Sequence, residues 1–169
     1  MKCRALAIGA VLLASCGGPQ RADEPEMTPL GQARAIEIIE EAVASREDVG
    51  RTSVNVEATL ANGTEVNVDV LIRSLGAGYV FMTEQDRRDY GPIPERAEGS
   101  ELHAVLGALS GGEQVHLLVM QDEDYAYLPN PRADERRPEE VTVDYVESRL
   151  RRDSLDFVQA IVDLRGGTD

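Results

Sequence analysis

The stretch from Val54 to Ile72 constrains the fold more than any other part of this 169-residue chain. Val54, Val56, Ala58 and Leu60 alternate with Asn55, Glu57 and Thr59. After Asn62-Gly63, Val66, Val68, Val70 and Ile72 alternate with Asn67 and Asp69. A period of two on both sides of an Asn-Gly pair predicts a β-hairpin with one buried face. The register follows from side-chain matching. A two-residue loop would set Ala58 opposite Asn67 and cross the faces, whereas a three-residue loop, Ala61-Asn62-Gly63, sets Ala58 opposite Val66 and Val56 opposite Val68. A slip of one residue inverts every side chain. The longer loop is therefore expected, with Gly63 in the left-handed position of a bulge.

Other elements are read around this hairpin. Thr28-Pro29 is a helix-start signal, a hydroxyl cap followed by proline. Leu30, Ala33, Ile36, Ile39 and Val43 then form an apolar stripe, with Gly50 as the stop. Tyr79–Met82 reads as a third strand, and Thr83 opens a short helix ending near Gly91-Pro92. Leu102, Val105, Leu106 and Leu109 predict a helix stopped by Gly111-Gly112. Gln114–Gln121 is apolar on both faces, as an interior strand is. Asp122-Glu123-Asp124 reads as a solvated hairpin turn leading into a strand at Tyr125–Leu128. Val143, Val146 and Leu150, then Leu155, Val158, Ile161 and Leu164, predict two closing helices, or one kinked at Asp153-Ser154. The order predicts an α+β domain: a mainly antiparallel sheet of about five strands with helices packed on one face.

The N-terminus carries a different kind of signal. Lys2 and Arg4 precede the apolar segment Ala5–Leu13, which is too short for the roughly 20 residues needed to span a membrane. Leu13-Ala14-Ser15-Cys16 follows, and the segment resembles a bacterial lipoprotein signal with its lipobox. The resemblance covers residues 1–16 and implies cleavage between Ser15 and Cys16, with lipid attached to the Cys16 sulfur. It also implies location in the cell envelope, and Gly17 in place of aspartate favours the outer membrane, facing the periplasm. One acyl chain anchors marginally, whereas two or three hold durably. A plain secretory signal with an incidental cysteine is the alternative. Residues 17–28, with Pro19 and Pro25 and little apolar content, read as a disordered tether. Residues 29–169 remain as a single domain.

Removing residues 1–15 would lower Lys+Arg from 17 to 15 against 31 Asp+Glu, a formal charge of −16, with no lysine left. Such a surface repels phosphate backbones, which excludes nucleic acid as a partner. Cys3 would be discarded and Cys16 lipidated, so neither a disulfide nor a cysteine metal site is expected.

No catalytic constellation emerges. Ser110 in Ala108-Leu109-Ser110-Gly111-Gly112 resembles a nucleophile elbow only loosely, because the strand-then-helix context is reversed. His103 and His116 lack metal-ligand spacing, even with Glu101 or Asp122 as further donors. An EF-hand starting at Asp122 would need glycine at Tyr127 and glutamate at Ala133. No cofactor or metal is expected. The residues favoured for partner contact are Tyr125 and Tyr127, beside a turn, and the acidic outer hairpin face of Glu57, Glu65 and Asp69. The resulting expectation is a lipid-anchored, non-catalytic binding or assembly module acting on another envelope protein. The alternatives are a carrier of an apolar ligand, or a hydrolase using Ser110 or a carboxylate pair with a histidine.

Overall fold

The computed structural model describes residues 26–95, 102–129 and 142–166. Ser15, Cys16 and the tether up to residue 25 lie outside the described residues, as does Glu101. The described chain is α+β, with three helices, a closed five-stranded barrel and a two-stranded ribbon.

The hairpin has the predicted register. β2 (Thr52–Leu60) and β3 (Glu65–Ile72) pair Ala58 with Val66 and Val56 with Val68. Leu60 N donates to Thr64 O at 2.8 Å, closing the three-residue loop, and Gly63 has φ of 87°. β4 (Ala77–Met82) follows β3 antiparallel, then α2 (Glu84–Asp89), where Thr83 and Asp86 form a capping box. β5 (Ala104–Leu109) and β6 (Gln114–Gln121) form a second hairpin. β6 lies parallel to β4, and β5 closes on β2 through Ala58–Leu60 and Gly107–Leu109.

The sheet has the expected five strands and four antiparallel pairings, but it closes into a barrel and pairs β4 with β6 in parallel, and β5 is the strand that closes it. Leu102, Val105, Leu106 and Leu109 fit a helical period, but Val105, Gly107 and Leu109 also fit a period of two. The second pattern wins. Glycine within a helix is disfavoured by about 1 kcal/mol, whereas here it lets two strands approach. A Cβ at Gly107 would stand 3.1 Å from Leu117 Cδ1. Ser110-Gly111-Gly112 is accordingly the loop of the β5–β6 hairpin and not a helix stop, with Gly112 at φ 78°.

The barrel is filled by its own side chains, among them Leu60, Val66, Val68, Val80, Leu117 and Val119. A Cβ added at Gly78 would lie 2.7 Å from Val68 Cγ1, so the interior has no room for a methyl group there. A second core lies outside the barrel, where Ile72, Tyr79, Phe81, Leu118 and Met120 pack beneath the helices. β3 changes face between Val68, which points into the barrel, and Val70, which points toward the helices. Opposite this switch stands Asn55, whose φ of 54° is the only positive value for a non-glycine residue among the described residues. Asparagine tolerates that left-handed backbone.

The helix layer departs from the sequence reading in three respects. Thr28-Pro29 forms the short strand β1, paired with β7 (Ala126–Tyr127), and does not cap a helix. Leu30 N donates to Tyr125 O at 3.0 Å, which keeps the chain extended until α1 (Gln32–Ala44) begins after Gly31. The buried face of α1 is Ala35, Ile38, Ile39, Ala42 and Val43; Ala33 is exposed, and the helix ends before Ser45, not at Gly50. The closing segment is one continuous helix, α3 (Val143–Gly166). Ser154, read as a possible break, is instead a docking point: its carbonyl accepts from Tyr79 Oη at 2.9 Å and its hydroxyl donates to Leu150 O at 2.8 Å. Phe157 meets Tyr79 edge-on at 5.4 Å.

Candidate functional site

The residues singled out for partner contact do not form one surface. Tyr125 is buried at 5 % exposure. Its hydroxyl donates to Asp153 Oδ2 at 2.9 Å, its ring packs 6.0 Å from Phe81, and Arg149 lies 5.4 Å above it. Burial, followed by the Asp153 charge, pushes its phenol well above the ordinary range. Tyr125 is therefore a packing residue, placed there because Asp122–Tyr125 forms a 3-10 turn that swings the ring under α3 instead of a solvated hairpin turn. Tyr127 is half-buried in the β1–β7 ribbon.

Asp69 also departs from the expected acidic face. Glu57 and Glu65 are exposed on the outer side of the hairpin, near Asn67, but Asp69 sits where β3 changes face and is 4 % exposed. There the β3–β4 ladder stops after Val70 and Tyr79, and the Asp69 carboxylate accepts from Phe81 N at 2.7 Å. Gln32, in the first turn of α1, donates to its other oxygen at 3.4 Å. Burial raises the carboxyl to about 6, against the opposing effect of the Phe81 N–H, and the neighbouring Asp86 charge adds to the rise. Asn67 N, next along the open seam, donates to Tyr90 Oη at 3.3 Å. Side chains thus satisfy the backbone where the two strands separate.

That separation shapes the barrel mouth. α2 and the loop after it cross the opening, and a cleft of about 380 Å³ forms between Met82, Arg87, Tyr90, Gly91, Pro92, Ile93 and Gln121. Arg87 reaches Asp122 at 2.6 Å, and Asp122 also accepts from Glu84 N at 3.2 Å, so the end of β6 holds α2 in position. The loop is gripped from both sides. Asn62 Nδ2 and Thr64 Oγ1 donate to Pro92 O at 2.5 and 3.1 Å, and His103 Nε2 meets Pro94 O at 2.6 Å. Across the Tyr90-Gly91-Pro92 ridge lies a second groove, lined also by Asn62, Gly63, Thr64, Glu65 and Asp89.

Of the candidate site residues singled out in the sequence, only Glu65 lines either depression, in the groove, and the cleft is missed. Its only linear trace is an apolar tetrad, Tyr90-Gly91-Pro92-Ile93, directly after the charged run Asp86-Arg87-Arg88-Asp89. Ser110 is exposed on a turn and His103 is buried against Pro94, the two lying at opposite ends of β5. His116 is half-buried between Leu106 and Ala77 in the sheet. Among the described residues no three His, Cys, Asp or Glu side chains come together as a metal-binding group, and no helix is long and apolar enough to cross a membrane. Comparison with family models, curated proteins and solved structures finds no match to the chain.

Proposed function

We propose that this protein is a lipid-anchored module of the bacterial envelope, moored through Cys16 at the outer membrane, that binds another envelope protein without catalysing a reaction. The observation that carries the reading is the barrel-mouth cleft, where Met82, Tyr90, Pro92 and Ile93 supply apolar surface on a loop fastened by Asn62, Thr64 and His103. Pockets that hold a partner's side chain combine such apolar walls with a few fixed polar groups, here Arg87 and Gln121. A carrier of an apolar ligand needs enclosed space. The described barrel interior is instead occupied by its own valines and leucines, which favours the binding module.

Two measurements test this. Cys16→Ala, followed by cell fractionation and mass spectrometry, is expected to release the protein from the membrane; continued membrane association without lipid refutes the anchor. A photo-crosslinking residue at position 93, irradiated in intact cells, is expected to capture one protein reproducibly. The same residue at Gln159 on α3, distant from the cleft in sequence and exposed, serves as the control. Equal capture from both positions counts against the cleft.

A further inference from the structure

Resting on that binding reading, we propose that the barrel mouth recognises an extended segment of a basic partner. One apolar side chain fills the cleft, and an arginine or lysine about two or three residues away lies in the acidic groove.

The two depressions differ in what they leave unsatisfied. In the cleft the single cation is already committed, since Arg87 pairs with Asp122 and also donates to Met82 O at 3.3 Å. What remains for a guest there is apolar surface, with the Gln121 amide at its edge. In the groove Asn62 and Thr64 spend donors on the protein's own backbone and on each other. Asn62 Nδ2 and Thr64 Oγ1 both serve Pro92 O, and Thr64 N donates to Asn62 Oδ1 at 3.1 Å. The carboxylates are what stay open. Glu65 and Asp89 meet no cation among the described residues, and Asp89 accepts only from the neutral Gln85, at 2.9 Å. A guest in the groove must therefore bring donors and positive charge, which arginine does with a planar fork suited to carboxylates.

The two sites also form one path. Tyr90, Gly91 and Pro92 line both, and Gly91 at the ridge is exposed, with no side chain to bar a chain lying across it. An acyl chain would use the cleft but not the groove, whose carboxylates repel an anionic headgroup. The formal charge of −14 for the whole chain favours a basic partner over an acidic one.

The test uses the full chain, purified in detergent, and titrates labelled Gly/Ser octapeptides by fluorescence anisotropy. One peptide carries leucine and arginine two residues apart; a second has glutamate in place of arginine, and a third has serine in place of leucine. The first is expected to bind at least ten-fold more tightly than the others, and to lose most of that margin in 0.5 M salt. The double variant Glu65→Lys/Asp89→Lys, shown by circular dichroism to be folded, is expected to prefer the glutamate peptide. Equal affinity for the arginine and glutamate peptides, no binding of any peptide, or an unchanged preference in the folded double variant overturns the proposal. Mapping the position-93 crosslink separates this failure from that of the binding reading. A captured partner segment without arginine or lysine overturns the charge rule alone. A crosslink only to lipid, or to residues 17–25 of the same chain, overturns both.

Discussion

Replacing Asp69 with asparagine should make the protein more stable at neutral pH, although it weakens a hydrogen bond visible in the structure. The Asp69 carboxyl titrates at about 6 in the folded protein, because burial penalises its charged form. In an unfolded chain it titrates near 3.9. Between those values the folded state binds more protons than the unfolded one, so stability falls as pH rises from about 4 to about 6 and is level above that. Two pH units at roughly 1.4 kcal/mol each set a ceiling near 3 kcal/mol for the stability lost to ionisation. The substituted amide retains an oxygen to accept from Phe81 N, and the charge assistance that this bond loses is already contained in the carboxyl's value of about 6. Asp69→Asn is therefore expected to be about 2–3 kcal/mol more stable than the wild type at pH 7.5, and about equal to it at pH 4. Urea unfolding followed by circular dichroism across pH 4–8 reads this directly, and the difference between the two proteins cancels the titration of every other group. A variant less stable than wild type at pH 7.5, or a stability difference that does not change with pH, would refute the argument.

Three further outcomes follow from the packing. Gly78→Ala drives a Cβ to within 2.7 Å of Val68 Cγ1, and should cost about 1–3 kcal/mol in urea unfolding as an overpacked core does. Phe157→Ala removes a fully buried ring from beneath Tyr79 and should cost about 3–5 kcal/mol by the same assay; a loss under about 1 kcal/mol would mean that α3 does not dock there. Asp122→Ala leaves Arg87 and Glu84 N without their shared acceptor, and is expected to cost about 2–4 kcal/mol and to speed amide exchange in α2 before the barrel strands.

What can be read from the sequence is local. The β2–β3 register is legible because matching Val56 with Val68 and Ala58 with Val66 leaves one solution, and Gly63 supplies the backbone it needs. Thr83 marks α2 because its cap partner, Asp86, lies only three residues away. The Val105–Leu109 segment misleads because its apolar residues fit both periods, and its pairing with β2 on one side and β6 on the other decides between them. Barrel closure depends on that segment, which bridges β6 and β2, so the error passes from element to architecture. Asp69 and Tyr125 are misplaced for a related reason. A polar residue in an alternating strand reads as outward-facing, and nothing nearby in sequence signals that β3 changes face at Asp69 or that a 3-10 turn draws Tyr125 inward. The cleft combines residues from β4, α2, its trailing loop and β6, and no linear pattern joins them.

The clasp of Asn62 and Thr64 on the Pro92 carbonyl has a thermodynamic consequence for any guest. The rim loses its conformational freedom when the chain folds, not when a visitor arrives, so little of the contact energy is diverted into ordering the receptor. Affinity at such a preformed rim depends mainly on how rigid the incoming segment is, and loosening the clasp would weaken association by restoring to the rim the freedom that folding removed.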